Sequence, residues 1–173
     1  MKMLKWLLCI VVTAWAGQYL LALMVPSLMM ETIYTLGASE NDYNQLIVAP
    51  VPDETSRSVV RPSPDLLYAS CIYNLERGPL SIKAQVPTRY WSMQFYQMNT
   101  DNYASVTNQR DERHRAGSRV NITLISQQDN PADYEGEVIQ SPTERGIVLL
   151  RVSAIGDRTE QQAALEAGSC SSI

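Results

Sequence analysis

The run WLLCIVVTAWAGQYLLALMVPSLMM, from Trp6 to Met30, holds 25 residues without a formal charge. A helix of that length reaches about 37 Å, and the hydrocarbon core of a bilayer is about 30 Å thick. The segment is therefore long and apolar enough to cross a membrane. Gln18 adds an uncharged polar group at tolerable cost, and Pro26 lies near the far end, where a helix bends or stops. Two readings compete. Ala14-Trp15-Ala16 before Gly17 has the form of a signal-peptidase site, which would make the segment a cleaved signal. The apolar run continues through YLLALMV, however, whereas the core of a signal ends before its cleavage site. The favoured expectation is an uncleaved anchor that meets the lipid bilayer through residues 6–30. Leu8 stands before Cys9, where a lipoprotein signal needs a small residue.

Lys2 and Lys5 precede the span and Glu31 follows it, so the positive-inside bias leaves the N-terminus cytoplasmic and the rest outside. The two lysines put +2 on the first 30 residues, leaving −6 on the remainder. An acidic soluble part argues against nucleic-acid binding, which requires basic surface to meet phosphates. The cysteines agree with export. Cys9 lies in the apolar span as a small hydrophobe, while Cys71 and Cys170 lie in the exported part, where two cysteines form a plausible pair. The alternative is two unpaired thiols.

SLMMETIYTLGA, residues 27–38, reads as a helical stalk ending at Gly37, giving a division into an anchor and stalk (1–38) and an extracytoplasmic domain (39–173). LIVAPV is a short apolar piece suited to an edge strand. The stretch to Asp65 carries Pro50, Pro52, Pro62 and Pro64 and reads as an extended connection, since proline donates no ladder hydrogen bond. Beyond it the hydrophobic period becomes two. Leu80, Ile82, Ala84 and Val86 alternate with polar residues, as do Trp91, Met93 and Phe95, and Val120, Ile122 and Leu124. ERGP at 76–79 and VPTR at 86–89 read as turns between neighbouring strands. GIVLLRVSA is apolar on both faces, as a central strand would be. DRTE at 157–160 has capping-box spacing and opens a short helix that Gly168 stops. The expected fold is mainly β: an antiparallel, jelly-roll-like β-sandwich with an N-terminal transmembrane helix and a short C-terminal helix.

RPSPDLLYASCIYNLERGPLSIKAQVP, RYWSMQFYQMNTDNYASVTNQR and SPTERGIVLLRV, in that order, resemble the bacterial family catalogued as domain of unknown function 1254. Its pattern is a proline-rich lead into a D-x-x-Y strand, a G-P turn, a Y-W-S strand ending in N-T-D-N, and a P-x-x-R-G apolar strand. The likeness covers about residues 40–170 and points to the short, membrane-anchored branch. Ser63 and Leu67 stand where larger relatives often carry asparagine and threonine, so no polar site comes over with the resemblance. What it implies is a β-sandwich and association with a sister domain, catalogued as unknown function 1214, here as a separate protein chain. In a bacterial cell the orientation above becomes a single pass of the inner membrane with a periplasmic domain.

Candidate chemistry is thin. Arg61, Asp65 and Tyr68 cluster around the opening strand, where they could bind a polar ligand or, more simply, form a capped turn. Asn99 and Asp101, in N-T-D-N, could line a sugar site, and Tyr90 could stack on a sugar ring; the plainer readings are a side-chain-held turn and the rim of the sheet. These residues define an alternative function, an envelope carbohydrate-binding protein or enzyme with a polar cleft around Asp65 and Asp101. His114, in RDERHRAG, is expected on a solvated loop. No G-x-S-x-G elbow or phosphate-binding glycine pattern is present, and one histidine beside two cysteines that are expected to pair leaves few ligands for zinc. No cofactor, metal or catalytic set is expected.

Overall fold

The structure is a computed structural model, and it describes residues 2–37, 43–56, 62–109 and 112–173. Helix α1 runs unbroken from Lys2 to Gly37, straight through Pro26. Its apolar side chains from Met3 to Met29 are exposed, and only Met30 and Tyr34 are buried. One helix is thus long and apolar enough to cross a membrane, and its last two turns meet protein instead.

The rest of the described chain forms two sheets. One has five strands, β1 (Leu46–Val48), β2 (Leu66–Asn74), β8 (Arg145–Ser153), β4 (Trp91–Gln97) and β5 (Asn102–Thr107), in the spatial order β1-β2-β8-β4-β5. The other has four, in the order β7-β6-β3-β9: β7 (Glu137–Gln140), β6 (Arg119–Ile125), β3 (Leu80–Gln85) and β9 (Ser169–Ser172). Helix α2 (Arg158–Glu166) precedes β9. Asp157 caps it by accepting from the Thr159 amide at 2.9 Å.

The period-two strands bury the residues their alternation selects. Leu80, Ile82, Ala84 and Val86 are buried, as are Trp91, Met93 and Phe95, and Val120, Ile122 and Leu124. They join Leu67, Ala69, Cys71 and Tyr73 of β2 and Val148, Leu150 and Val152 of β8 in one core drawn from both sheets. Strand β8 is central and pairs on both flanks, which explains its apolar content on both faces.

Three features depart from the sequence reading. The all-antiparallel expectation is corrected at β6 and β7, which pair in parallel, so the smaller sheet is mixed. The 76–79 and 86–89 segments do not close hairpins. They carry the chain from β2 in one sheet to β3 in the other and back to β4, because the apolar faces of the three strands are buried against one another across a single core. His114 is not on a solvated loop; it is 4% exposed, with Nε2 2.9 Å from Glu137 Oε2. A ring flanked by charged residues is buried here because a carboxylate on β7 meets it.

Cys71 of β2 and Cys170 of β9 are joined, so a covalent bridge crosses the core between the sheets and closes a loop with a sequence separation of 99. In the chain-entropy account such a loop stabilises a fold by about 4–5 kcal/mol. Reduction of the full chain, or Cys71→Ala with Cys170→Ala, is expected to lower the stability of the β-domain by a comparable amount in a denaturant titration. A native protein in which Cys71 alkylates freely would contradict the bridge.

Candidate functional site

The structure divides the candidate residues between the two ends of β8. Asp65, Tyr68 and Tyr90 lie at one end. The Asp65 carbonyl accepts from the Ala154 amide at 2.7 Å, the Tyr90 carbonyl from the Ser153 amide at 2.9 Å, and the Tyr68 hydroxyl from the Ser63 amide at 2.9 Å. Tyr90 donates its hydroxyl to Ser92 at 3.0 Å. Arg61 lies outside the described residues. Asn99 and Asp101 lie at the other end, in the β4–β5 turn. There the Asp101 amide donates to Asn99 Oδ1 at 3.0 Å, and its carboxylate accepts from the side-chain amides of Asn99 at 2.7 Å and Gln97 at 3.3 Å. Strand β8 is nine residues long, and at about 3.3 Å per residue its length separates the two groups, so no single cleft gathers both.

The second group sits beside the junction with α1. Tyr34 and Ile72 are buried together on the face of the five-stranded sheet that points away from the core, with Tyr43, Met98 and Ile147 against them. Tyr43 stacks on Tyr34 with ring centroids 4.9 Å apart. Arg145 lies over the Tyr34 ring at 5.0 Å and forks onto Glu31, Nη1 to Oε1 at 3.2 Å and Nη2 to Oε2 at 3.3 Å. A methyl group on Gly37 would press on Ile72 at 2.8 Å, so the helix end approaches the sheet as closely as a glycine allows. Sequence reasoning missed this pairing. Glu31 and Arg145 are 114 residues apart, and no local pattern links them. Below the fork a cleft of about 310 Å³ opens between helix and sheet, lined by Ser27, Glu31, Gln97, Met98, Asn99, Thr143 and Arg145.

Immediately inside the sheet from Arg145 lies a buried hydroxyl cluster. Tyr73 pairs across the strands with Gly146, and its ring crosses over that glycine. A side chain at 146 would collide with the Tyr73 hydroxyl and the Tyr96 carbonyl. The Tyr73 hydroxyl meets Ser141 Oγ at 2.8 Å and the Tyr103 hydroxyl at 3.1 Å, while Ser141 donates to the Thr143 carbonyl at 2.7 Å. Burial pushes both phenols above their ordinary value of 10.0, with hydrogen bonds from Ser141 and Tyr103 partly offsetting the shift at Tyr73. Burial outweighs these bonds, so both phenols stay protonated at neutral pH and hold the hydroxyl cluster together. Among the described residues no three His, Cys, Asp or Glu side chains gather as metal ligands.

A two-sheet β-domain bridged by a cystine, with an apolar helix seated on the outer face of its larger sheet, is thus the class of protein in hand. The sequence profile described as "Protein of unknown function (DUF1254)" matches residues 43–168, and the chain belongs to that family. A comparison with curated proteins found no match. Among solved structures the chain is similar to the VPA0106 protein from Vibrio parahaemolyticus, with a TM-score of 0.60 and 15% identity over 86% of this chain and 35% of that one. It is also similar to a putative uncharacterized protein from Burkholderia cenocepacia, with a TM-score of 0.50 and 14% identity over 83% of this chain and 39% of that one. At these identities the likeness speaks for the fold alone, and the chain spans well under half the length of either protein.

A raised folded-state phenol pKa favours the fold fully below the unfolded value and is lost as pH climbs past it. Stability is therefore expected to hold up to pH 10.0 and then to fall as the unfolded chain ionises Tyr73 and Tyr103 while the fold keeps them neutral. Tyr73→Phe should reduce that alkaline slope by one proton, and at neutral pH should lower stability by about 1–3 kcal/mol through the hydroxyls left unpaired. Denaturant titrations across the alkaline range check both; an unchanged slope in the variant would contradict the assignment.

Proposed function

We propose that this chain is a membrane-tethered module of the cell envelope. In this reading it holds a β-sandwich domain close against the outer face of the inner membrane and docks a second chain bearing the sister domain of unknown function 1214. The observation that carries the reading is the seating of α1. The helix that carries the apolar span runs on unbroken to Gly37, and its last turns are packed on the sheet through Tyr34 and the Glu31–Arg145 fork. A tether meant only to confine a freely moving domain needs no such seat, whereas a module that presents a surface at fixed height and orientation does.

Further features support parts of the reading. Lys2 and Lys5 ahead of the span favour a cytoplasmic N-terminus. The Cys71–Cys170 bridge suits an oxidising compartment such as the periplasm. The shared core of the two sheets, with the chain alternating between them at β2, β3 and β4, favours the jelly-roll-like sandwich. The similar solved proteins are larger than this chain, which leaves room in them for a further domain beside the one it resembles. The exposed Asn99 lines the stalk cleft, with Asp101 two residues on in the same turn.

Two measurements on the full chain test the proposal. Protease added to spheroplasts is expected to digest everything after about residue 30, and a protected domain would contradict the orientation. Affinity capture from gently solubilised membranes, through a tag beyond the exposed Ile173, is expected to bring down a sister-domain chain in comparable amount. Recovery of this chain alone would contradict the docking.

A further inference from the structure

The position of the stalk cleft follows from arithmetic on α1. Trp6 to Val25 is 20 residues, which as a helix covers about 30 Å, the whole hydrocarbon thickness. Contact with the β-domain follows, with Ser27 and Glu31 lining a cleft against the sheet and Tyr34 buried on it. On the reading of α1 as a membrane span, the cleft lined by Ser27, Glu31, Met98, Asn99, Thr143 and Arg145 lies beside the polar end of that span, at the level of the phospholipid headgroups.

Its chemistry is that of a matched pair. One carboxylate, Glu31, and one guanidinium, Arg145, share the cleft, and both remain partly open to the outside, at 46% and 39% exposure of their side chains. Their fork uses two of the five guanidinium N–H donors, leaving others able to turn toward an anion, and a carboxylate keeps lone pairs after accepting two bonds. A purely anionic headgroup would meet Arg145 but be repelled by Glu31. A zwitterion carrying an ammonium satisfies both. Half-buried Met98 supplies an apolar wall on the sheet side of the cleft.

We propose that this cleft seats the headgroup of an aminophospholipid, its phosphate against Arg145 and its ammonium against Glu31. The seat rests on the reading of α1 as a membrane span and deepens it by assigning the lipid class that fixes the domain on the surface. The ammonium must donate hydrogen bonds, so phosphatidylethanolamine is preferred over phosphatidylcholine, whose quaternary nitrogen has no N–H. It is preferred over phosphatidylglycerol because the latter offers Glu31 no cation.

The test uses the full chain in nanodiscs holding equal parts of phosphatidylethanolamine, phosphatidylcholine and phosphatidylglycerol, followed by mild detergent release and native mass spectrometry of the retained lipid. Retention of phosphatidylethanolamine about tenfold above either competitor is expected, the size of one charge-assisted contact. Glu31→Gln, which keeps the shape and a hydrogen bond to Arg145, should abolish the preference over phosphatidylglycerol. Asn99→Lys, on an exposed turn, should shift it toward phosphatidylglycerol. Indiscriminate retention, or an unchanged preference in Glu31→Gln, would overturn the headgroup seat. Alkaline carbonate extraction of cell membranes that hold the full chain separates the two claims: a chain that stays in the membrane pellet yet retains lipids indiscriminately in nanodiscs has lost only the headgroup seat, whereas a chain that is extracted has lost the anchor and the seat together.

Discussion

The seat of Tyr34 on Ile72, on the outer face of the larger sheet, decides what kind of object this protein is. Without it the described residues would be a helix long and apolar enough to cross a membrane and a β-domain with no contact that fixes one to the other. Magnitudes indicate which contact does the holding. The Glu31–Arg145 fork is more than a third exposed on both sides, and such pairs contribute about 0–1 kcal/mol. The guanidinium over the Tyr34 ring adds about 0.5–1 kcal/mol. Burial of an apolar side chain is worth about 1.5–3 kcal/mol each, and Tyr34 and Ile72 are both buried at this contact. Apolar packing therefore supplies most of the adhesion, and the charged fork sets rotation and register.

The P-x-x-R-G segment, Pro142 to Gly146, shows how one short motif serves both faces of a sheet. Successive strand residues point to opposite sides. Arg145 faces outward and meets Glu31 and Tyr34 on the stalk. Gly146 faces inward and leaves the room that the Tyr73 ring occupies on its way to Ser141 and Tyr103. The outer junction and the inner hydroxyl cluster are thus adjacent along one strand, and displacing β8 would disturb both. The cystine between β2 and β9 then ties the sheet that carries the stalk to the sheet on the far side of the core.

Much of this was legible in the sequence where side chains repeat with a period. The apolar span, the alternating strands β3, β4 and β6, the doubly apolar β8 and the capped α2 all declared themselves locally. Strands β5, β7 and β9 did not. NYASVT, EVIQ and SCSS are short, and polar residues interrupt any alternation, so they become strands because a neighbour offers a ladder. The parallel β6–β7 pair, the burial of His114 against Glu137 and the Glu31–Arg145 fork are long-range matters with no local signature. The candidate polar residues were sorted for the same reason. Asp65 and Asp101 look alike in sequence, yet β8 holds their turns at opposite ends of the sheet, and only the Asn99–Asp101 turn adjoins the stalk.

The rigid junction between stalk and sheet is tested most directly by electron–electron distance measurement on the full chain in nanodiscs. Spin labels at exposed Thr32 on α1 and exposed Ser105 on β5, with Cys9 replaced by alanine, report on the two bodies without touching their contact. A single narrow distance distribution is the predicted result. A broad distribution spanning many separations would show that the domain swings free of its anchor and would contradict the account.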